Sequence, residues 1–203
     1  MTTKTEKTRD HILTVGRRLM SELGFNALGL GLLLKEADIP KGSFYYYFAS
    51  KEDFGCKLLE QYIAYYHERL DALWSREGRS GRQQLMDYWD QWVVTQCPVN
   101  AENTCLIVKL GAEVSDMSED MRTILANGAT SIVARLSAQI RKGQKDASLS
   151  MDIKADETAA MLYQMWLGAS LVAKLEHAAG PLVQARANSE ALLPAPSTAN
   201  QNQ

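Results

Sequence analysis

Apolar residues recur at three- and four-residue intervals along nearly the whole chain, and glycine or proline interrupts the pattern between stretches of helical length. Gly24 ends the first stretch, where a helix commonly takes a left-handed glycine. That stretch carries Ile12, Val15, Leu19, Met20 and Leu23. Only 13 glycines and 5 prolines occur among the 203 residues, too few for a turn-rich all-β chain. We therefore predict an all-α protein.

The interruptions also indicate where each helix begins and ends. Pro40 cannot lie inside a helix but suits its first turn, so a break precedes it. Ser50 followed by Asp53 resembles a capping box at the start of a long helix, although Asp replaces the usual Glu. Gly143 is expected to end another helix, and the polar residues 194–203 are expected to form a disordered tail. The predicted helices cover residues 8–23, 30–37, 41–48, 51–74, 81–96, 104–114, 119–142, 155–176 and 180–193.

Several classes of protein are excluded by composition and motif content. The longest apolar stretch, residues 28–34, is much shorter than the roughly 20 residues of a membrane span. Residues 1–10 are polar with no apolar segment behind them, so we expect no secretion signal, no membrane partner and a cytoplasmic location. Cys56, Cys97 and Cys105 are an odd number without zinc-ligand spacing, which argues against a disulfide framework, a metal or another cofactor. Scattered histidines and the lack of a catalytic motif argue against an enzyme.

Basic residues are concentrated at the N-terminus. Residues 1–51 contain eight Lys and Arg against five Asp and Glu, a net charge of +3, whereas the rest of the chain carries −5. A locally positive segment is the electrostatic footprint that phosphate recognition requires. The same segment predicts a long helix followed by two short helices joined by a tight turn. This is the helix-turn-helix arrangement, in which the second short helix enters the major groove of DNA.

The second short helix carries side chains that suit DNA. Lys41 lies at its N-terminus, where its charge and the free backbone N–H groups can meet phosphate or a base edge. Lys51 adds a second charge beside the duplex. Hydroxyl groups for phosphate oxygens follow on Ser43, Tyr45 and Tyr47. Phe44 and Phe48 lie four residues apart on one face, so we expect them to pack under the first helix as scaffold.

Residues 39–51 read Ile-Pro-Lys-Gly-Ser-Phe-Tyr-Tyr-Tyr-Phe-Ala-Ser-Lys, and Thr8-Arg9 and Gly24-Phe25 precede them at matching distances. This pattern strongly resembles the N-terminal DNA-binding domain of the TetR family of transcriptional regulators over residues 7–55. The resemblance implies sequence-specific binding to a palindromic DNA operator. It also implies two domains, a three-helix DNA-binding domain over 1–53 and a helical ligand-binding and dimerisation domain over 54–193.

The same resemblance implies roles for individual residues. It places DNA-backbone contacts at Lys41, Ser43, Tyr45, Tyr47 and Lys51. It places the groove-facing surface at Pro40, Gly42 and Tyr46. For Tyr46 the equally weighted alternative is that the ring caps the hydrophobic core with its hydroxyl in water. The chain departs from the family pattern at Gly29 and Gly31, where a capping residue and a polar phosphate-contacting residue are usual, so the second helix is expected to be the least stable of the three.

Symmetric helix-turn-helix dimers read paired half-sites, so we expect a homodimer. Two of the long helices carry apolar stripes suited to an interface. One stripe comprises Met121, Leu125, Ile132, Leu136 and Ile140. The other comprises Leu162, Met165, Trp166, Ala169 and Val172. The alternative is that the stripes face the interior of their own chain.

Family members are usually repressors that a small molecule releases from DNA by shifting the population between two states. The resemblance therefore implies an inducer. An apolar pocket for it could be lined by Trp89, Trp92, Tyr163 and Trp166. The competing interpretation is that these aromatic residues are plain core. Repression and activation are both compatible with the sequence.

A covalent route is the second sensing hypothesis. Cys105 begins a predicted helix, where the helix dipole lowers the pKa of a thiol, and Lys109 follows one turn later. The sequence around Cys105 and around Lys174 resembles a TetR-family sensor of reactive electrophiles and oxidants. That resemblance implies that Cys105 is the sensor and that Lys174 lies near it, where an amine favours the thiolate and can react with a sulfenic acid. A disulfide between Cys97 and Cys105 is a rival covalent route, and an inert, buried Cys105 is the remaining alternative.

Overall fold

A computed structural model describes residues 4–96 and 105–196 of the chain. Within these two ranges the protein contains nine helices and no strand, so the all-α prediction is confirmed. No helix in this part of the chain is both long and apolar enough to cross a bilayer. The helices are α1 Lys4–Leu23, α2 Leu30–Glu36, α3 Lys41–Tyr47, α4 Lys51–Trp74, α5 Gly81–Gln96, α6 Leu106–Ser115, α7 Glu119–Lys145, α8 Ala155–Glu176 and α9 Gly180–Leu192.

The bounds agree with the sequence at most helix ends, and two differences have clear causes. α7 continues through Gly143, which was expected to end it, and the chain turns left-handed at Ala147 with φ 58°. A Cβ added to Gly81 would lie only 2.4 Å from the Cα of Gly143, so this glycine serves a close backbone approach instead. The expected disordered tail begins with an ordered residue, because the carbonyl of Pro194 accepts a hydrogen bond from the N–H of Ser150 at 3.0 Å. Residues 197–203 lie outside the described ranges.

The chain divides into two compact units, each assembled from two stretches of sequence. The first unit comprises Met1–Tyr66 with Ala101–Gly128, and the second comprises His67–Asn100 with Ala129–Gln203. α4 and α7 therefore contribute to both. By packing, the first unit extends past residue 53 and includes α6, so the division of the chain into domains at that residue stays a prediction.

An aromatic cluster forms the base of the first unit's core. Phe44 and Phe48 are both buried, and their ring centroids lie 5.6 and 5.1 Å from that of Phe54 at the start of α4. Their predicted scaffold role is confirmed. Ser50 Oγ accepts the N–H of Asp53 at 3.0 Å, and the Asp53 carboxylate accepts the N–H of Ala49. The predicted cap therefore forms, but Asp53 binds the residue before the N-cap, whereas the Glu of a usual capping box binds the N–H of the N-cap itself.

Candidate DNA-binding surface and regulatory cysteine

The turn between α2 and α3 is closed by backbone hydrogen bonds. The N–H of Ile39 donates to the carbonyl of Leu34, and Asp38 adopts φ 50° in the left-handed region. His11 on α1 bonds the carbonyl of Ala37 through Nε2 at 3.1 Å. Pro40 is the N-cap of α3, where its missing N–H costs nothing. These bonds fix the turn between α2 and α3 against α1, as in a helix-turn-helix arrangement.

One side of α3 is open to solvent. Tyr46 is 73% exposed and Tyr45 is 49% exposed. The exposure of Tyr46 fits a groove-facing ring and not a cap on the core. The remaining exposed members of the predicted DNA-binding set are Pro40, Lys41 and Gly42, while Ser43 and Tyr47 are half-buried. No heavy atom lies within 4 Å of a Cβ added to Gly42, so a phosphate backbone could approach closely there.

Lys51 makes its strongest contacts inside the first unit. Its Nζ donates to the carbonyl of Phe25 at 2.9 Å and lies 4.6 Å from the centre of the Phe25 ring. Burial lowers the pKa of Lys51, while the charge of Glu113 raises it. The predicted contact of Lys51 with DNA phosphate would therefore use the remaining donors of an ammonium group already bound to the turn after α1.

α2 begins without a side-chain cap. Gly29 is its N-cap with φ −73° and ψ 140°, and it makes no side-chain hydrogen bond. A Cβ added to Gly29 or Gly31 would meet no atom within 4 Å, so packing does not require either glycine. α3 has the same length of seven residues and also lacks a side-chain cap, so the expectation that α2 is the least stable of the three helices stays a prediction.

Cys105 is the N-cap of α6 and is only 4% exposed. The hydroxyl of Tyr62 on α4 lies 3.8 Å from the sulfur as a donor, and the same oxygen accepts the N–H of Leu106 at 3.3 Å. Burial raises the pKa of Cys105, although the backbone N–H of Val108, the hydroxyl of Tyr62 and the backbone N–H of Ile107 lower it. The prediction that the helix end leaves this thiol with a lowered pKa is wrong, because desolvation outweighs the amide dipoles.

The other residues of the sensing hypothesis are Lys109, Lys174 and Cys97. Lys109 directs its Nζ to the carbonyl of Glu22 at 3.1 Å, so its amine is engaged at the end of α1. Lys174 is exposed on α8 in the second unit. Cys97 lies outside the described residues, and Cys56 is buried as expected for a packing residue.

The predicted pocket residues fill the interior of the second unit. Trp89 and Trp166 stack with ring centroids 4.8 Å apart and an interplanar angle of 5°. Trp92 meets Tyr163 edge to face, and its Nε1 donates to Ser170. The four side chains are almost entirely buried against one another, which is the geometry of plain core, and their role in a pocket stays a prediction. A separate cavity of about 600 Å³ lies between the start of α8 and the end of α9, lined by residues including Ile153, Met161 and Leu192.

The apolar stripe predicted on α7 does not face a second chain. All five of its side chains, Met121, Leu125, Ile132, Leu136 and Ile140, are buried within the protomer. Leu162 and Trp166 of the α8 stripe are buried as well. The apolar side chains that remain exposed on the last two helices are Met161, Leu171, Val172 and Leu175 on α8 and Val183 on α9. Of the two predicted stripes, only that on α8 therefore retains an exposed apolar side chain, Val172.

Comparison with known proteins agrees with this geometry. Residues 12–54 match the model of the tetR family of bacterial regulatory proteins, and residues 81–188 match that of the tetracyclin repressor-like C-terminal domain. The chain is 40% identical to the transcriptional repressor NemR of Escherichia coli K12 over 93% of its own length and 95% of the relative's. It is 30% identical to the transcriptional regulator AcuR of Cereibacter sphaeroides, covering 84% and 78% of the two chains. A crystal structure of the reduced form of E. coli NemR superposes with a TM-score of 0.89, covering 95% of this chain and all of the other.

Proposed function

The chain belongs to the TetR family of bacterial transcriptional regulators, and from that premise we propose that it represses transcription at a palindromic operator and leaves the DNA when Cys105 is modified. Members of this family bind DNA through the N-terminal helix-turn-helix and act as dimers. The relatives found are regulators, a class that generally has no enzymatic activity.

DNA recognition by α3 is supported by the exposure of its predicted contacts. Lys41 and Tyr46 extend into solvent from a helix that the buried Phe44 anchors to the core. A lysine and phenol hydroxyls on such a surface suit phosphate oxygens, which fix the register of a protein on DNA. A second copy would supply the other half-site, and we propose that the exposed apolar side chains of α8 and α9 form the dimer interface.

Sensing through Cys105 is supported by its contacts and by similarity. The E. coli repressor that is 40% identical has been crystallised in a reduced form. In this chain the sulfur meets two backbone N–H groups at the start of α6 and the hydroxyl of Tyr62. These donors stabilise a thiolate once it forms, whereas burial keeps the resting thiol protonated. The thiolate would add to the electrophilic carbon of an activated alkene such as a maleimide. The C–S bond forms as the C=C π bond breaks, and the neighbouring carbon takes up a proton in place of the one lost from the thiol, which leaves a thioether at the start of the helix.

A non-covalent inducer is the second candidate, and one observation favours it. Trp89 Nε1 is buried with no hydrogen-bond acceptor among the described residues. An unpaired indole N–H in an aromatic interior is a donor that a polar ligand atom could satisfy. In this case Cys105 would be an inert packing residue.

The experiment that separates these candidates is selection of bound duplexes from a random DNA pool, with and without N-ethylmaleimide as the thiol-reactive probe. The wild-type chain is expected to enrich an inverted repeat and to lose it on treatment. Cys105→Ser is expected to keep the repeat after treatment. Cys56→Ser, which replaces the second buried cysteine of the described residues, is expected to be released like the wild type. Enrichment of no inverted repeat would remove the operator proposal, and release of Cys105→Ser would remove the covalent one.

A further inference from the structure

We propose that Glu113 and Lys109 of α6 are positioning residues that hold the turn after α1 and so carry a change at Cys105 to the DNA-binding helices. This inference rests on the proposed function for the origin of the signal. The contacts that would transmit it all lie within the first unit.

Glu113 binds the backbone of the turn between α1 and α2. Its two carboxylate oxygens accept the N–H groups of Phe25 at 3.1 Å and Asn26 at 2.6 Å, from 88 and 87 residues away in sequence. Gly24 allows this approach, because it has φ +87° and an added Cβ would lie 2.8 Å from the carboxylate. Hydrogen bonds to an ionised acceptor are roughly twice as strong as neutral ones. The charge of Glu113 therefore holds this turn in addition to the local bond that the N–H of Gly24 donates to the carbonyl of Met20.

Lys109 contacts the end of α1, immediately before the same turn. Its Nζ donates at 3.1 Å to the carbonyl of Glu22, one of the last carbonyls of α1, which have no partner within the helix. Lys109 and Glu113 are four residues apart, so they lie on the same face of α6. The opposite charges of these two side chains match the opposite polarities of the carbonyl and the N–H groups at this turn.

α6 joins this contact to the sensor as a short rigid rod. The helix has ten residues, a length of about 15 Å. Cys105 caps one end, and Leu106, Leu110 and Val114 are buried in the core of the first unit. Because the sulfur is only 4% exposed, we expect a group added to it to displace the start of α6. Because the helix moves as one piece, Glu113 and Lys109 move with it and displace the turn from which α2 and then α3 follow.

Operator affinity measured by fluorescence anisotropy, before and after N-ethylmaleimide, tests this role. Glu113→Gln replaces one carboxylate oxygen by an amide that repels a backbone N–H. The untreated variant is expected to bind the operator about tenfold more weakly, and treatment is expected to cause little further loss. Glu60→Gln is the matched control, since Glu60 is an exposed acid on α4 that pairs with Lys57, and it should behave like the wild type. Lys109→Met, at an exposed contact, should show a smaller change in the same direction.

Two outcomes of the affinity measurement would overturn the inference. One is an untreated Glu113→Gln chain that binds the operator like the wild type. The other is that Glu113→Gln weakens operator binding equally before and after treatment. The ratio of treated to untreated affinity would then equal that of the wild type, and Glu113 would stabilise the turn without a role in signalling. Hydrogen exchange at Phe25 and Asn26 should accelerate in Glu113→Gln and in the treated wild type, and unchanged exchange in both would also overturn it. If Cys105→Ser is still released, the covalent proposal fails while the Glu113 comparison remains decisive.

Discussion

The two units of this protein differ in the burial of the polar contacts inside each of them, although charged side chains bind distant backbone groups in both, as Asp146 binds the N–H of Gly81 in the second. In the first unit, charged side chains bind backbone groups of a distant turn, as Glu113 binds the N–H groups of Phe25 and Asn26. In the second unit, indole N–H groups bind serine hydroxyls inside an aromatic interior, as Trp166 binds Ser189 at 2.8 Å. The bonds from Glu113 can break or re-form when one helix shifts slightly. The bond between Trp166 and Ser189 cannot, because close packing prevents either side chain from moving. The difference places adjustable geometry in the unit that carries the DNA-binding helices.

Replacing Trp166 with alanine tests the packed half of this comparison. The substitution removes the stacked partner of Trp89 and the indole donor to Ser189, whose hydroxyl keeps its own bond to the carbonyl of Ala185, so we expect a loss of about 3–5 kcal/mol in the free energy of unfolding. Urea unfolding followed by circular dichroism measures it. Met151→Ala, at a side chain that is 75% exposed, serves as the control and should change stability by less than about 0.5 kcal/mol. A small effect of Trp166→Ala would show that the second unit is not locked.

Replacing Lys41 with alanine tests the DNA-binding surface of the first unit. We expect operator affinity to fall about tenfold at every DNA sequence, and the slope of its salt dependence to decrease by about one, because one phosphate contact is lost. Lys57→Ala, on α4 beside Glu60, should leave both quantities unchanged. Titrations at several salt concentrations measure them, and an unchanged slope would mean that Lys41 touches no phosphate.

Replacing Tyr62 with phenylalanine tests the adjustable contacts of the first unit at Cys105. The change removes the donor to the sulfur of Cys105 and the acceptor of the Leu106 N–H, at a cost of about 1 kcal/mol in stability. Since the hydroxyl lowers the pKa of Cys105, its loss should raise that pKa further and slow alkylation at a fixed pH. The rate of alkylation as a function of pH measures the shift. A faster reaction would show that Tyr62 mainly shields the thiol.

Replacing Gly31 with alanine probes the weak helix of the first unit. The position has open space around its missing Cβ, so alanine should stabilise α2 by about 0.5–1 kcal/mol through lower entropy of the unfolded chain. Thermal unfolding measures the gain. A destabilised variant would indicate that the glycine is needed for backbone geometry.

His67 in the second unit is expected to make the stability of the protein depend on pH, and this is the smallest of the expected effects. Burial and the charge of Arg135 lower the pKa of His67 below its usual 6.5, while Asp71 raises it. The neutral ring is thus favoured in the folded chain, so its contribution to stability is present above pH 6.5 and is lost as the pH falls through the folded value. The melting temperature of the wild type should fall more between pH 7 and pH 5 than that of His67→Gln. Parallel curves would exclude a role for this histidine.

Local sequence predicted the helices and the scaffold of α3 because periodicity, capping residues and proline act within a few positions. Phe44 and Phe48 could be assigned to the core from their spacing alone. The pKa of Cys105 could not, because the helix end is visible in the sequence whereas the burial of the sulfur depends on the tertiary structure. The contact of Glu113 with the turn after α1 left no sequence signal, since its partners are backbone groups more than eighty residues away.

The close approach of Gly81 on α5 to Gly143 on α7 limits which residues either position can accept. A Cβ at Gly81 would fall 2.4 Å from the backbone of α7, and one at Gly143 would fall 2.7 Å from the side chain of Leu149. Neither glycine lies among the residues assigned to DNA or to sensing. If every residue were substituted and the variants scored for repression, these two positions should nevertheless be among the least tolerant. From those scores alone, this close backbone contact would be mistaken for a binding site.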